Sequence, residues 1–163
     1  MITLDDFITQ EIPKISRCLR EDEYVNLIDL AANFLMLKID ERVFDDGLAS
    51  DGDTIDSIVQ ASTAVIAAYA DAYTKKRLSD GLQVNYIDLK YTGQFRESLT
   101  SGEDEDGNIT VGFADQRGQE LRRFHEEYRQ KDIFIPTEEE VEDLVGFLNE
   151  EFPKFMQRCL AQS

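Results

Sequence analysis

Residues 86–99, YIDLKYTGQFRESL, are the stretch around which the fold is predicted to be organised. They begin with a strand-like alternation of apolar and polar side chains, which breaks at Thr92-Gly93. Thr92 is a residue type that caps helices, and Gly93 removes side-chain bulk where the chain turns, so a short helix ending near Leu99 is predicted to follow. The stretch holds no nucleophile motif, metal-ligand cluster or phosphate-binding loop. We therefore interpret it as a junction between sheet and helices.

A small antiparallel sheet is predicted around this junction. Residues 82–89 have a strand pattern, and residues 98–101 and 108–113 are predicted to form the two arms of a hairpin. The arms are joined by the sequence GEDEDG, whose charges and glycines predict an exposed and mobile acidic tip. Residues 133–136 are predicted to be an edge strand, because Pro136 cannot continue a ladder.

Helical periodicity accounts for most of the remaining chain. The predicted helices are residues 3–20 with an interruption at Pro13, residues 23–44, residues 55–78, residues 116–130, and a last helix with an expected bend at Pro153. Thr137 and Glu140 form a capping-box pattern at the start of that last helix. The predicted fold is α+β, with long N-terminal helices and a C-terminal helix packed on a small antiparallel sheet with a β-hairpin. We predict one domain over residues 1–163, helical over 1–80, with sheet and hairpin over 82–114, and helical again over 116–163.

The composition is that of a folded protein rather than of a disordered tail, with 42% hydrophobic residues, ten Phe and six Tyr in 163 residues. No apolar run approaches the roughly 20 residues of a membrane helix, and the acidic N-terminus does not resemble an export signal. Production in the cytoplasm predicts that Cys18 and Cys159 are two reduced, buried thiols. A disulfide between them is the alternative.

The net charge of −17, from 34 acids and 17 bases, excludes a broad surface that grips nucleic-acid phosphates. Two interpretations of the acidity stay open: it keeps the protein soluble, or it lines a passage through which DNA slides without sticking. Lys75, Lys76 and Arg77 are the only basic cluster. We interpret them as complementing a helix dipole rather than as a contact to phosphate or to a partner.

The sequence predicts a protein that is not an enzyme and that needs no cofactor or metal. It contains no Walker, Rossmann or G-x-S-x-G motif. The aspartates of residues 45–53 lack the spacing of a calcium-binding EF-hand loop, so a polar loop is predicted there. His125 has no cysteine, histidine or acid at ligand spacing and is predicted to be a structural or surface residue.

The order of several short phrases resembles tail-completion proteins of tailed phages, the Mu-like virion-morphogenesis group, and especially its relatives in phages and prophages of Bacteroides-type bacteria. The matching residues are Thr92, Gly93, Phe95, Arg96, Ser98 and Leu99, then Val111, Gly112 and Phe113, then Phe124 and His125. Weaker similarities extend the resemblance over about residues 40–135. The chain departs from the family after His125, where Glu126-Glu127-Tyr128 and residues 133–136 replace the usual His-x-x-Gly and Pro-Arg-Pro-Phe-like turn.

The resemblance implies a structural virion protein, made in the host cytoplasm, that forms a ring as a head–tail connector or tail terminator. Its partners would be further copies of itself and the adjacent head, neck or tail proteins, with DNA at most passing through the lumen and no membrane involved. The residues it implies as candidates for subunit contacts are Thr92, Gly93, Phe95, Arg96, Glu97, Glu103, Asp104, Glu105, Asp106 and His125.

Two other classes of function remain open from the sequence. The first is a small acidic DNA mimic or inhibitor that binds a basic host protein. The second is a cytoplasmic hydrolase whose site follows no recognised motif. The mass of the purified protein separates a ring subunit from a mimic, since only the former forms a high-order assembly.

Overall fold

The computed structural model describes residues 17–18, 22–55, 71–90, 92–104 and 108–161. Within them, five helices and a two-stranded antiparallel sheet form an α+β fold, which confirms the predicted class. The helices are α1 (Asp22–Asp40), α2 (Asp71–Ser79), α3 (Gln94–Glu97), α4 (Gln116–Arg129) and α5 (Glu138–Ala161); the strands are β1 (Leu99–Glu103) and β2 (Ile109–Phe113). The predicted helix over residues 3–20 lies outside the described residues except at 17–18, and the one over 55–78 is described mainly from Asp71 onward.

Local sequence signals set several helix ends. Helix α1 continues into a π-helical turn, Glu41–Asp46, which ends at Gly47 in the left-handed conformation with φ of +69°. The capping box of α5 is confirmed: Thr137 Oγ1 accepts from the Glu140 amide at 3.1 Å, and the Glu140 carboxylate accepts from the Thr137 amide at 2.8 Å. The N-cap residue of α3 is Gly93, whose φ of +84° is favourable for glycine. Thr92 lies one residue earlier, and its Oγ1 accepts a long hydrogen bond of 3.4 Å from the Gln94 amide, so the predicted cap is present only as this weak contact.

Helices α1 and α5 pack against each other in antiparallel directions. The rings of Phe34 and Phe147 stack with centroids 4.5 Å apart, and Lys38 Nζ donates to Asp143 Oδ2 at 2.6 Å one turn further along α1. At the other end of α5, Phe155 lies in a small buried cluster with Leu27. Because the order of contacts reverses between the helices, the start of α5 lies beside the end of α1.

Cys18 and Cys159 form a disulfide, so the prediction of two reduced thiols is wrong. Both residues are buried in the cluster that contains Leu27 and Phe155, and their Cα atoms are 5.5 Å apart, within the usual range for a bridge. What the sequence did not reveal is that the fold brings the N-terminal cysteine to the same place.

The predicted hairpin is confirmed. β1 pairs with β2 in a register that sets Leu99 opposite Phe113 and Glu103 opposite Ile109. The apolar members of these pairs join the main core with α1, whereas Thr100 and Thr110 face outward and are exposed. The sequence therefore predicted the pairing of the two arms, and the structure adds which face of the hairpin is buried.

Residues 82–89 do not form the predicted strand. Their backbone is satisfied by side chains instead: the Gln83 amide donates to Tyr86 O at 2.8 Å and accepts from the Asn85 amide at 2.8 Å. Leu89 has φ of +50°, which bends the chain away from an extended path. Apolar alternation alone therefore did not distinguish this segment from a strand.

Arg77 holds the same segment from helix α2. Its Nη2 atom donates to both carboxylate oxygens of the buried Asp88, at 2.8 and 2.9 Å. Its Nε donates to Gln83 O at 2.9 Å, and its Nη1 donates to Lys90 O at 2.6 Å. Arg77 is only 1% exposed, whereas Lys75 and Lys76 lie at the surface. Arg77 does lie in the last turn of α2, where a cation suits the helix dipole, but the interpretation did not include its buried ion pair with Asp88.

Residues 133–136 are also irregular rather than an edge strand. The carbonyl groups of this segment accept hydrogen bonds from Arg42 rather than from a neighbouring strand, at 3.0 Å for Ile133 O and 3.1 Å for Ile135 O. Arg42 also pairs with the buried Glu140 at 2.7 Å. The sequence predicted strands at both segments, but an arginine side chain binds the backbone of each. Arg77 comes from helix α2, which directly precedes residues 82–89, and Arg42 comes from the π-helical turn, which is distant in sequence from residues 133–136.

Candidate functional site

Four of the predicted contact residues line one cavity. Thr92, Gly93, Phe95 and His125 border a space of about 330 Å³ between helix α4 and the segments that precede and contain α3. The remaining described lining residues are Tyr73, Ile87, Leu89, Gln94, Leu121 and Arg129. Most of these side chains are apolar or aromatic. The cavity therefore suits an apolar group better than a charged one.

Phe95 is the centre of an aromatic cluster beneath this cavity. Its ring stacks on Phe113 with centroids 4.7 Å apart, and Phe44 and Phe134 approach it edge-on at 5.8 and 5.7 Å. His125 lies on its remaining side, 5.9 Å away. Edge-on and offset contacts are the favoured geometries of aromatic rings, so the cluster ties α3, β2 and α4 together.

His125 is held neutral within this cluster. Burial and, to a smaller extent, the nearby positive charge of Arg129 together lower its pKa to about 4. Arg129 Nη1 lies 2.5 Å from His125 Nδ1, and because a guanidinium only donates, Nδ1 is the acceptor. The ring proton therefore resides on Nε2, and the histidine is a packed side chain at neutral pH.

Arg96 is directed away from the cavity toward the end of α1. Its guanidinium donates to Asp40 at 2.9 Å through Nε and to Asp45 at 2.7 Å through Nη1. The hydrogen bonds to Asp45 and Asp40 raise the pKa of Arg96, and the hydrogen bond from Arg96 lowers the pKa of Asp45. Arg96 thus braces the π-helical turn within the chain, while the neighbouring Glu97 is exposed.

The acidic candidates lie at the far end of the hairpin from this cluster. Glu103 ends β1, and the Asp104 carboxylate accepts from the Asn108 amide at 2.8 Å, which closes the base of the tip. Glu105 and Asp106 lie outside the described residues. The structure therefore separates the predicted candidates into three groups: the cavity, the Arg96 brace and the acidic tip.

Sequence reasoning missed which apolar residues stay at the surface. In the helical pattern of the sequence, Phe124 and Tyr128 share one face of α4 with Leu121, and Val141, Val145 and Phe152 belong to a regular apolar stripe of α5. All five are exposed, because the buried faces of α4 and α5 are centred on other residues, such as Gly118 and Leu144. The sequence did contain a signal for this exposure, because each helix has more apolar residues than a single buried face can hold.

Sequence reasoning also missed the structural arginines. Arg42 and Arg129 are buried, and Arg129 Nε donates to Ile55 O at 3.1 Å. Nothing local to an arginine in the sequence tells whether its partners are a distant carboxylate and backbone carbonyls, because those contacts depend on the tertiary fold.

No group of three metal-binding side chains occurs among the described residues, and none of the described helices is long and apolar enough to cross a membrane. Comparisons of the chain with protein-family models, with curated proteins and with solved structures found no match. The described geometry thus offers packing surfaces, a small apolar cavity and acidic patches as its functional features.

Proposed function

We propose that this chain is a structural subunit of a tailed-phage virion, which forms a ring at the neck or tail as a connector or tail terminator between head and tail. The observation that carries the proposal is that the three phrases of the resemblance meet in space. Phe95 of the first phrase stacks on Phe113 of the second and contacts His125 of the third. The proposal draws support from this arrangement because it places residues of the three phrases on one packed unit.

The distribution of rigid and acidic parts is consistent with such a subunit. The aromatic cluster fixes α3, the hairpin and α4 relative to one another, and the hairpin carries Glu103 and Asp104 away from it. In a ring the charge of −17 is repeated in every subunit, so acids that face the axis form a wall that repels DNA phosphates. Self-contacts and contacts to adjacent head, neck or tail proteins are the proposed activity.

Deletion of the gene from the phage tests this proposal. We expect particles in which filled heads and tails no longer join, and restoration when the chain is supplied from a plasmid. Mass spectrometry of purified wild-type virions should detect the chain at a ratio of several copies per particle. Infectious, fully joined particles from the deletion, or the absence of the chain from wild-type virions, would contradict the proposal.

The acidic wall is tested separately at the hairpin tip. Substitution of Glu103, Asp104, Glu105 and Asp106 by glutamine or asparagine removes four charges per subunit without altering a buried contact of the described residues. We expect rings of normal mass but slower DNA ejection. Unchanged ejection from rings of normal mass would show that the tip does not face the DNA.

A second candidate function, an acidic mimic of DNA that binds a basic host protein, is favoured by one observation. Residues 138–152 of α5 hold seven acids and no base. A mimic acts alone, so native mass spectrometry of the purified chain should then find a monomer. A closed high-order assembly supports the ring subunit instead.

A further inference from the structure

The apolar core of the described residues is divided into two clusters. The main core holds thirteen buried side chains, from α1, the aromatic cluster, the loops around it and the first half of α5. The second cluster holds only four, which are Cys18, Leu27, Phe155 and Cys159. The two clusters share no buried residue, and Leu148 packs against both. The disulfide therefore supplies half of the buried residues of the second cluster.

Helix α5 runs through both clusters and passes from one to the other near Pro153. Leu144 belongs to the main core, whereas Phe155 and Cys159 belong to the second cluster. Pro153 lies inside the helix between them. Because proline has no backbone N–H, the carbonyl group four residues earlier lacks its usual helical donor, and the helix is weakened at this point. The part of α5 after Pro153 is therefore joined to the rest of the helix less firmly than an uninterrupted helix would be.

The disulfide ties the last turns of α5 to the stretch that lies directly before α1. Cys18 and Cys159 are 141 positions apart in the sequence, but their Cα atoms are only 5.5 Å apart. A bridge that closes so long a loop restricts the opened chain and therefore disfavours opening. Without the bond, the buried apolar contacts of this end are those of four side chains. Segments with few such contacts open locally more readily than a large core does.

We propose that the Cys18–Cys159 disulfide is a redox-operated latch on one end of the molecule. While the bond is intact, it holds the part of α5 after Pro153 against the stretch that precedes α1. When the bond is reduced, this end opens and closes by itself while the main core stays folded. The latch is a property of the chain itself, and it holds or fails independently of the proposed virion function.

Dithiothreitol, which carries two thiols, opens the latch in two exchange steps. One thiolate of the reagent attacks a sulfur of the bridge, which forms a mixed disulfide and releases the other cysteine. The second thiolate of the reagent then attacks the mixed disulfide, closes a cyclic disulfide and releases the first cysteine. The protein gains the two electrons and two protons that the reagent loses. Because Cys18 and Cys159 are only 2% and 1% exposed, the first attack requires that the end opens.

Hydrogen exchange followed by mass spectrometry tests the latch on the full chain. The oxidised and reduced wild-type proteins differ by two hydrogen atoms, so a difference between them reports the bond rather than a loss of packing volume. We expect reduction to speed the exchange of amides in residues 154–161 by at least about 30-fold. Amides of residues 140–147, which lie in the same helix beside the main core, and those of the hairpin should change by less than about threefold.

A variant that combines Cys18→Ala with Cys159→Ala is the matched control. It cannot form the bridge, so residues 154–161 should exchange at least as fast as in the reduced wild type, and dithiothreitol should change nothing. The rate of reduction tests whether the end must open first. Under one concentration of dithiothreitol, the bridge of the native chain should be reduced at least about 100-fold more slowly than the bridge of the chain unfolded in urea.

Several results would overturn the latch. Unchanged exchange in residues 154–161 after reduction would show that this end does not depend on the bond. Equal acceleration in residues 154–161, in residues 140–147 and in the hairpin would show that the bond stabilises the whole chain rather than one end. Equal rates of reduction for the native and the unfolded chain would show that the bridge is reached without opening. A response of the double alanine variant to dithiothreitol would assign the effect to something other than the bridge.

Discussion

The hairpin and residues 82–89 were both predicted to be strands, but only the hairpin forms them. Residues 82–89 alternate apolar and polar side chains much as β2 does. In the hairpin, β1 and β2 satisfy each other through a backbone ladder from Leu99–Phe113 to Glu103–Ile109. In residues 82–90, by contrast, Arg77 and Gln83 provide the hydrogen bonds that a neighbouring strand would otherwise provide.

The backbone N–H and C=O groups of an extended, apolar segment need hydrogen-bond partners. The pattern of the segment does not determine whether those partners are a neighbouring strand or side chains. In a β-ladder, the hydrogen bonds join backbone to backbone along both strands, so they do not depend on any single side chain. A segment held by side chains instead depends on a few residues. Single substitutions should therefore affect residues 82–90 far more than the hairpin.

The largest effect is expected from Arg77→Met. This change leaves the Asp88 carboxylate buried without its cation and removes the donors to Gln83 O and Lys90 O. Removal of one partner of a buried ion pair costs about 3–5 kcal/mol of the free energy of unfolding. Urea unfolding followed by circular dichroism measures the loss.

Lys75→Met on the same helix is the matched control. Lys75 is exposed, so its substitution should change the free energy of unfolding by less than about 0.5 kcal/mol. If Arg77→Met were as mild as this control, the segment would not depend on its arginine, and the contrast with the hairpin would be wrong.

The second-largest loss of stability is expected where residues 82–90 contact Gly47, at the end of the π-helical turn. A Cβ atom at Gly47 would lie 2.3 Å from Tyr86 Cδ2 and 2.8 Å from Ile87 O, and Gly47 has φ of +69°. Gly47→Ala should therefore lower the free energy of unfolding by about 3 kcal/mol, through backbone strain and a forced shift of the segment.

Gly52→Ala separates these two causes. Gly52 also has a positive φ, of +81°, but a Cβ there would meet nothing within 4 Å. This variant should cost only the conformational part, about 1 kcal/mol. Equal losses for both variants in the same urea experiment would mean that contact with Tyr86 is unimportant.

The parts of the fold that could be predicted are those whose signals are local. The helix stop at Gly47, the capping box of Thr137 and Glu140, and the hairpin all depend on residues close together in sequence. The Cys18–Cys159 disulfide and the buried Arg77 depend on contacts that only the folded chain creates. Local patterns therefore predicted the hairpin and the described helices, but they also predicted strands at residues 82–89 and 133–136 and did not reveal the side chains that bind those segments.

The candidate site divides in the same way. The resemblance implied Thr92, Gly93, Phe95 and His125 as candidates, and the structure shows that these four line one cavity. The exposed pair Phe124 and Tyr128 escaped prediction, because an apolar residue on a helix indicates burial only when its neighbours in space are known. Exposure is a property of the whole fold.

A third prediction concerns His125, which borders the cavity between residues 82–90 and α4. Its pKa of about 4 lies below the usual 6.5, so the unfolded chain binds more protons between these values. Stability from the neutral ring is complete above pH 6.5 and is lost as the pH falls toward 4. Since the ring is only partly buried, we expect a loss of about 1–2 kcal/mol.

Urea midpoints measured from pH 7.5 to 4.5 test this expectation against His125→Gln, which cannot titrate. The wild type should lose more stability than the variant over this range. Parallel curves for the two proteins would show that His125 is not held neutral by its contacts with Phe95 and Arg129.

The smallest effect provides the most direct comparison between the two regions. Gln83→Ala removes the amide that bonds to Tyr86 O and to the Asn85 amide, so it should lower the free energy of unfolding by about 1–2 kcal/mol. Thr110→Ala removes an exposed hydroxyl that bonds to Gly102 O at 3.2 Å, beside an intact ladder, and should cost less than about 0.5 kcal/mol. Urea unfolding of both variants under one condition measures the difference. An equal or larger loss from Thr110→Ala would mean that the hairpin, too, depends on individual side chains, and that a ladder does not protect a strand in the way inferred here.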